Sequence, residues 1–182
     1  MIEVQLERCN VIIDNMTSRQ KSKGNGYERQ VADHLSLVFD LNFERVPTSG
    51  AFTGGKNAYR YNKLSDSQKL LYDGDIIVPD ELSNFKIECK CYKSFSFHGL
   101  FSSNKQLDDW ISQAEVDFRL WFLIFKINNK GSYVVFNKSM WKSVSHSGCY
   151  CNYNSYYVVP MNNFFENNKN VLLRMNEKYI SC

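Results

Sequence analysis

The 182-residue chain lacks several features that would place it in a class directly. No apolar run approaches the length of a membrane span, and the first residues lack the pattern of a secretory signal peptide. The net charge of +3 is too small to argue for nucleic-acid binding by itself, although it is compatible with a local basic patch. No internal repeat is visible. We therefore expect a soluble, cytoplasmic protein with one sizeable core.

The chain also lacks the paired cysteine spacing that is typical of zinc knuckles, although it contains six cysteines. His146, Cys149 and Cys151 could begin a zinc site, but no fourth ligand is evident. Stable disulfides are not expected, because intracellular thiols stay reduced. Cys89 and Cys91 lie two residues apart in an apolar run, where free cysteine behaves as a small buried hydrophobe.

The most informative pattern lies in the middle of the chain. Residues 74–78 and 85–91 are mainly β-branched or apolar, and the residues between them are rich in turn formers. This pattern predicts two antiparallel strands joined by a short polar loop. Pairing of Val78 with Phe85 would then set the register of the hairpin.

That register brings three charged side chains together. It places Asp75 directly opposite Glu88, and cross-strand partners share a face of the sheet. Because side chains alternate along a strand, Lys90 joins the two carboxylates, whereas Ile87 and Cys89 point into the core. Two carboxylates in this position raise each other's pKa unless a cation relieves them, and Mg²⁺ is commonly held by one or two carboxylates plus water and phosphate. The alternative is a surface hairpin whose charged residues are simply solvated.

These residues resemble a known family. Asp75 and the tripeptide Glu88-Cys89-Lys90 resemble the metal-binding signature of the PD-(D/E)XK nuclease superfamily, with Gly74 in place of proline. A preceding helix with Glu28 and a Ser-Gly loop within residues 45–51 resemble its Holliday-junction resolvase branch, of phage and archaeal type. The resemblance covers about residues 22–127.

The resemblance implies a fold and a site. The fold is α/β, a restriction-endonuclease-like core with a central mixed β-sheet flanked by helices in the order αβββαβ. Asp75, Glu88 and the backbone carbonyl of Cys89 would bind Mg²⁺, which Mn²⁺ could replace, with Glu28 assisting. Lys90 would orient the attacking water for in-line attack.

The function that the resemblance implies is a Mg²⁺-dependent, structure-selective DNA endonuclease. Holliday-junction resolvases of this kind act as homodimers, whose symmetry matches that of a four-way junction. The alternatives are another PD-(D/E)XK nuclease of restriction, repair or end-trimming type, and a non-catalytic nucleic-acid-binding protein on the same scaffold. Scaffold-only relatives commonly lose an acidic residue or the lysine, and here all three are present.

Glu28 also has an explanation that needs no catalysis. Asn25 could cap a helix with Glu28 three residues later, which is the spacing of a capping box, and the helix dipole favours an acidic residue there. However, Glu28 lies on the same helical stripe as Ala32 and Leu35, so we expect it to face inward.

Several polar residues are candidates for DNA contacts. The loop beside the site could hydrogen-bond a phosphate, and the polar stretch 52–72 has the mixture of basic and tyrosine residues that grips phosphates and stacks on bases. A solvated loop is the alternative for that stretch. Gln113 could also reach the metal site or DNA, and a plain surface position is its alternative. The candidates are Thr48, Ser49, Lys56, Arg60, Lys63 and Gln113.

The rest of the chain supplies the scaffold. Apolar spacing predicts an amphipathic helix over 103–118 and a central, doubly covered strand over 120–127. A turn and a strand over 132–136 follow, and residues 156–159 could add another strand. We expect one nuclease domain over 1–182, with a core at about 22–136, an N-terminal arm over 1–21 and a C-terminal extension over 137–182. The aromatic segments 95–101 and 150–157 are candidates for either a dimer surface or the core.

Overall fold

The computed structural model describes residues 22–47, 63, 74–115, 120–145 and 149–180. These residues form helices and strands in the following order: α1 (22–39), β1 (Glu44–Arg45), β2 (Ile76–Ile77), β3 (Phe85–Tyr92), α2 (Lys105–Ala114), β4 (Leu120–Ile127), β5 (Gly131–Asn137), β6 (Cys151–Tyr153), β7 (Tyr156–Pro160) and α3 (Phe164–Ile180). Short 3-10 turns lie at Asp80–Leu82, Phe97–Phe101 and Lys138–Met140. None of the helices within these ranges combines the length and apolar character needed to cross a membrane.

The main sheet is mixed and has five strands, in the order β3-β4-β5-β7-β6. β3 and β4 run parallel, with α2 as the crossover between them, and the other neighbours are antiparallel. The elements from α1 to β4 follow the predicted αβββαβ order. The predicted α/β core with a mixed sheet flanked by helices is therefore confirmed.

β4 occupies the position that its sequence predicts. Its first six residues are all buried, because side chains on both faces of this strand enter a core. Its bounds coincide with the predicted central strand, and β5 and β7 extend the predicted strands by one residue at one or both ends.

Each face of the sheet is covered by helices. The first core lies between the sheet and the pair α1 and α3, and it includes Leu35, Ile87 and Phe165. The second core lies between the sheet and α2, and it includes Trp110 and Phe125. Alternate residues of β3 therefore face different helices, which decides where its charged residues point.

The predicted hairpin between residues 74–78 and 85–91 is wrong in its pairing. β2 pairs antiparallel with β1, not with β3, and all eight residues of β3 pair in parallel with β4. The intervening loop forms a 3-10 turn that buries Leu82 in the first core. Among the described residues, a main-chain hydrogen bond between the segments runs from Asp75 N–H to the Ile87 carbonyl at 2.9 Å, and Asp75 is not placed directly opposite Glu88 in a ladder.

The C-terminal extension is docked onto the first core by α3. Phe164, Phe165 and Leu172 are buried there. Two buried asparagines of this helix bond the rest of the chain: Asn176 Oδ1 accepts from the main-chain N–H of Asn84 at 2.8 Å, and Asn168 Nδ2 donates to the Ser145 carbonyl at 2.7 Å. Because α3 supplies buried side chains and hydrogen bonds, it completes the core instead of trailing from it.

The two aromatic segments contribute mainly to packing within the chain. Phe95 and Phe97 pack against the second core, and Tyr153 is buried in it. Phe101 and Tyr150 remain exposed, at 82% and 51%. The N-terminal arm over 1–21 lies outside the described residues.

Candidate active site

Gly74 allows β2 to begin in close contact with β3. Its φ of +87° lies in the left-handed region, and a Cβ at this position would lie 2.8 Å from the Ile87 carbonyl oxygen. Proline cannot adopt a positive φ, because its ring fixes φ near −65°. The backbone therefore accounts for glycine at the position where the superfamily name has proline.

Asp75 is fixed to its neighbours by both its main chain and its side chain. Its N–H donates to the Ile87 carbonyl, and its carbonyl accepts from Val46 N–H, both at 2.9 Å. Its Oδ2 accepts from Cys89 N–H at 2.8 Å. The side chain of Asp75 is thus held against the middle of β3, beside Glu88.

Glu88 and Lys90 lie on the face of β3 that looks toward α2. Lys90 Nζ donates to Glu88 Oε1 at 2.7 Å, and their side chains are only 17% and 13% exposed. Cys89 points the other way, into the first core. The predicted alternation of β3 side chains is therefore confirmed, and Glu88 and Lys90 share one face beside the bound carboxylate of Asp75.

The electrostatics of Asp75, Glu88 and Lys90 favour the binding of a cation. Burial raises the pKa of Glu88, and the nearby Asp75 carboxylate raises it further, against the opposing effect of Lys90. Burial alone would lower the pKa of Lys90, but Glu88 and Asp75 outweigh it and raise that pKa above its usual value. Lys90 is therefore an ammonium at neutral pH, and ionisation of both carboxylates would be eased by a second cation.

The donor set at this edge fits a hard divalent cation. Asp75 and Glu88 supply carboxylate oxygens, which are the ligands that Mg²⁺ prefers. The N–H of Cys89 points toward Asp75, and the N–H and C=O of a strand residue lie on the same side. The Cys89 carbonyl therefore faces the same edge, so it could be the third oxygen.

Comparison with known proteins agrees with this geometry. A family model described as "phage putative PDDEXK endonuclease" matches residues 19–178. The chain belongs to this family. The match includes α1, all seven strands, α2 and most of α3. No curated protein and no solved structure shows significant similarity to the chain. The predicted membership of the PD-(D/E)XK superfamily is thus confirmed, and the protein is a nuclease of the PD-(D/E)XK type.

Glu28 of this endonuclease lies on α1, and its carboxylate is paired with an arginine. Glu28 is buried, and Arg45 Nε of β1 donates to its Oε2 at 2.7 Å. Within the described part of the chain, no three histidine, cysteine or acidic side chains form a metal-binding group, and the contact that the structure gives the Glu28 carboxylate is the one with Arg45. The inward orientation of Glu28 is as predicted, whereas its role beside a metal stays a prediction.

The capping explanation of Glu28 is wrong, because α1 is already helical at residue 22. Asn25 therefore lies inside the helix. Sequence reasoning also missed Arg45, the partner of Glu28. A basic residue on a short strand next to an inward-facing glutamate was the signal that could have identified it.

The predicted DNA-contacting residues fall into two groups. Thr48, Ser49, Lys56 and Arg60 lie outside the described residues, and the exposed Lys63 is described in a turn. Gln113 is exposed on α2 and lines a cleft with Lys90, and its main-chain carbonyl accepts from Lys86 Nζ at 3.2 Å. The structure brings Gln113 near the site, and its contact with DNA stays a prediction.

The possible zinc site includes one residue outside the described part of the chain. His146 lies outside the described residues, whereas Cys149 is exposed and Cys151 partly exposed, and both thiols are free. Cys89 is also a free thiol, and burial raises its pKa well above the usual value, which makes it unreactive. Cys89 thus acts through its main chain and as part of the first core.

Two open clefts meet at Lys90 on this side of the endonuclease. The first has a volume of about 480 Å³ and runs between the beginning of α1 and the end of β3. The second has a volume of about 420 Å³ and follows α2 from Lys105 to Gln113. Sequence reasoning missed both clefts, because they are formed by residues from separate elements.

Proposed function

We propose that this endonuclease is a Mg²⁺-dependent, structure-selective deoxyribonuclease that cleaves phosphodiester bonds in branched DNA, acting as a Holliday-junction resolvase. The observation that carries the metal-dependent chemistry is the bond from Cys89 N–H to Asp75 Oδ2, which holds one carboxylate beside Glu88 and Lys90. The preference for a junction is supported by the resemblance to resolvases.

The site residues have distinct roles in this proposal. Asp75, Glu88 and the Cys89 carbonyl would hold Mg²⁺, and Mn²⁺ would substitute because it prefers similar ligands. The bound ion would supply Lewis-acid polarisation of the scissile phosphate and a water of lowered pKa. Glu28, paired with Arg45, would fix the position of β1 relative to α1 and thereby stabilise the position of the site.

Lys90 acts as a fixed positive charge. Its raised pKa keeps the ammonium protonated, so it cannot accept a proton from water at neutral pH. It can instead orient the attacking water and stabilise the negative charge that develops on the phosphate. Its low exposure strengthens both effects, because water screens a buried charge less.

Symmetry favours a homodimer on the proposed substrate. A four-way junction is cut on two strands related by a two-fold axis, and a dimer with the same symmetry presents one site to each strand. An enzyme of a phage-type family would meet this DNA in the host cytoplasm.

The test is cleavage of matched DNA substrates by the full chain. A synthetic four-way junction, a fork, a linear duplex and single strands are incubated with Mg²⁺, with Mn²⁺ or with EDTA. We expect symmetric cleavage of the junction with either metal and none with EDTA. Equal cutting of the linear duplex would replace the resolvase with a general PD-(D/E)XK nuclease.

Variants at the site test the mechanism. We expect Asp75→Asn and Glu88→Gln to abolish cleavage and to leave junction binding largely intact, because phosphate contacts elsewhere supply most of the affinity. Asp80→Asn is the matched control, since Asp80 is an exposed carboxylate just after β2. Full activity in either site variant would refute the mechanism, and binding without cleavage by the unmodified chain would favour the non-catalytic alternative.

A further inference from the structure

Tyr92 presents an exposed aromatic ring beside the candidate active site. It is the last residue of β3, two residues after Lys90 and on the same face of the strand. The residue is 44% exposed, and its ring packs on that of the buried Trp110 with centroids 4.8 Å apart and planes tilted by 43°. One side of the ring is thus supported by the core while the rest faces solvent.

The position of Tyr92 is fixed before any ligand arrives. Its carbonyl accepts from the N–H of Asn128 at 3.1 Å, and its backbone pairs with Ile127 of β4. Two residues along a strand span about 7 Å, so the ring lies a short distance beyond Lys90. Because its backbone is held and its ring already packs on Trp110, Tyr92 loses little conformational entropy on binding.

The two clefts that share Tyr92 differ in charge. The cleft of about 480 Å³ is lined by Lys23 and Lys93 besides Lys90, which is paired with Glu88, and no carboxylate of the described residues is among its lining. In the other cleft, Lys105 Nζ is paired with Asp109 at 2.9 Å, which neutralises its charge. A polyanion would therefore favour the first cleft, whose size falls within the range of about 300–1,000 Å³ typical of ligand pockets.

We propose that the first cleft binds the nucleotide next to the scissile phosphate, with its base stacked on the exposed face of Tyr92 and its phosphate held by Lys23 and Lys93. The inference rests on the proposed function for the position of the scissile phosphate. A base can stack on this ring only when it leaves the neighbouring base pair. The enzyme would then cut beside unpaired or easily unstacked nucleotides, as at the branch point of a junction.

The first test uses stacking variants in the full chain that carries Asp75→Asn, so that DNA is bound and not cut. 2-Aminopurine is placed in turn at each nucleotide on either side of the branch point of the junction. We expect the protein to change 2-aminopurine fluorescence most at one position beside the branch point. Tyr92→Leu should remove that change and weaken binding about 5- to 150-fold, whereas Tyr92→Trp should retain both, because stacking contributes about 1–3 kcal/mol per base.

Matched controls separate this role from general effects. Tyr150→Leu removes an exposed tyrosine near β6, at the opposite edge of the sheet from β3, and should change neither signal. Lys93→Ala and Lys23→Ala should each reduce the slope of log affinity against log salt by about one, and the exposed Lys130→Ala should not. Unchanged fluorescence and affinity in folded Tyr92→Leu would overturn the proposal.

A second measurement needs no substitution at Tyr92. 5-Iodouracil placed at the fluorescent position should cross-link to Tyr92 on irradiation, and mass spectrometry would identify the peptide. A cross-link only to other residues would overturn the inference. If no substrate were cleaved, the proposed function would be refuted and the proposal for Tyr92 would not, because stacking on Tyr92 and cross-linking to it are measured without cleavage.

Discussion

Alanine at Gly74 should damage both stability and catalysis, for two separable reasons. The first is backbone strain, because φ at Gly74 is +87° and the left-handed conformation costs an L-residue with a Cβ about 1–2 kcal/mol. The second is a clash, because the new Cβ would lie 2.8 Å from the Ile87 carbonyl oxygen, a backbone atom that cannot rotate away. We expect the free energy of unfolding to fall by about 2–4 kcal/mol in total.

Two other glycines separate these contributions. Gly131 has φ of +105° and open space around the position of a Cβ, so Gly131→Ala should show the strain alone, about 1–2 kcal/mol. Gly26 lies inside α1, also with open space, and Gly26→Ala should stabilise the protein by about 0.5–1 kcal/mol. Urea unfolding of the three variants measures each value.

The catalytic effect of Gly74→Ala follows from the same contact. Relief of the clash requires Gly74 to move away from β3, and Asp75 must move with it. A displacement of about 1 Å at a reacting group can reduce the rate about 10²-fold. Cleavage should therefore fall by that order in Gly74→Ala under conditions where it stays folded, and not in Gly131→Ala. Equal stability of these two variants, or full cleavage by Gly74→Ala, would refute the reasoning.

Two further predictions concern groups elsewhere in the molecule. Because the pKa of Glu88 is raised on folding, the metal-free protein keeps a proton that the unfolded chain loses, so its stability should fall as pH rises from the ordinary carboxyl pKa through the raised one. Urea titrations in EDTA at several pH values should show this fall in stability for the unmodified chain and not for Glu88→Gln. Addition of Mg²⁺ should reverse the dependence of stability on pH. A fall in stability that persists in Glu88→Gln would assign it to another group. Asn176→Ala leaves the partly buried main-chain N–H of Asn84 without its acceptor and should lower the free energy of unfolding by about 1–3 kcal/mol. Replacement of the exposed Asn167 by alanine should change it by less than about 0.5 kcal/mol, and equal effects of the two substitutions would contradict this assignment.

Elements with a strong local signal could be predicted from the sequence. β4 was located to the residue because its apolar run is continuous and bounded by polar residues. α2 was predicted from its apolar spacing, although the described helix covers only Lys105–Ala114 of the predicted range. In both cases the pattern along the chain is sufficient for the prediction, because the way in which a strand or helix is buried determines the spacing of its apolar residues.

The elements that were missed depend on distant partners. α3 is rich in asparagine, which has low helix propensity and obscures the apolar stripe that includes Phe165 and Leu172. Its two buried asparagines bond residues far away in the sequence, Asn176 to Asn84 and Asn168 to Ser145, although Asn168 also donates to the Phe164 carbonyl of its own helix. The pairing of β3 with β4 is also decided by the tertiary fold, since either neighbour could satisfy its main chain.

The error in the predicted hairpin explains how the site can exist. In a complete antiparallel ladder, the N–H of Cys89 would bond a main-chain carbonyl of the partner strand. In the structure β3 is the edge strand of the main sheet, and that N–H binds the carboxylate of Asp75 instead. An edge strand carries main-chain groups that need partners. Here the carboxylate satisfies one of them, and the Cys89 carbonyl on the same edge is available to a cation. The proposed metal site therefore requires β3 to lie at the edge, because pairing on that side would remove both the anchor of Asp75 and the carbonyl that is proposed as the third oxygen.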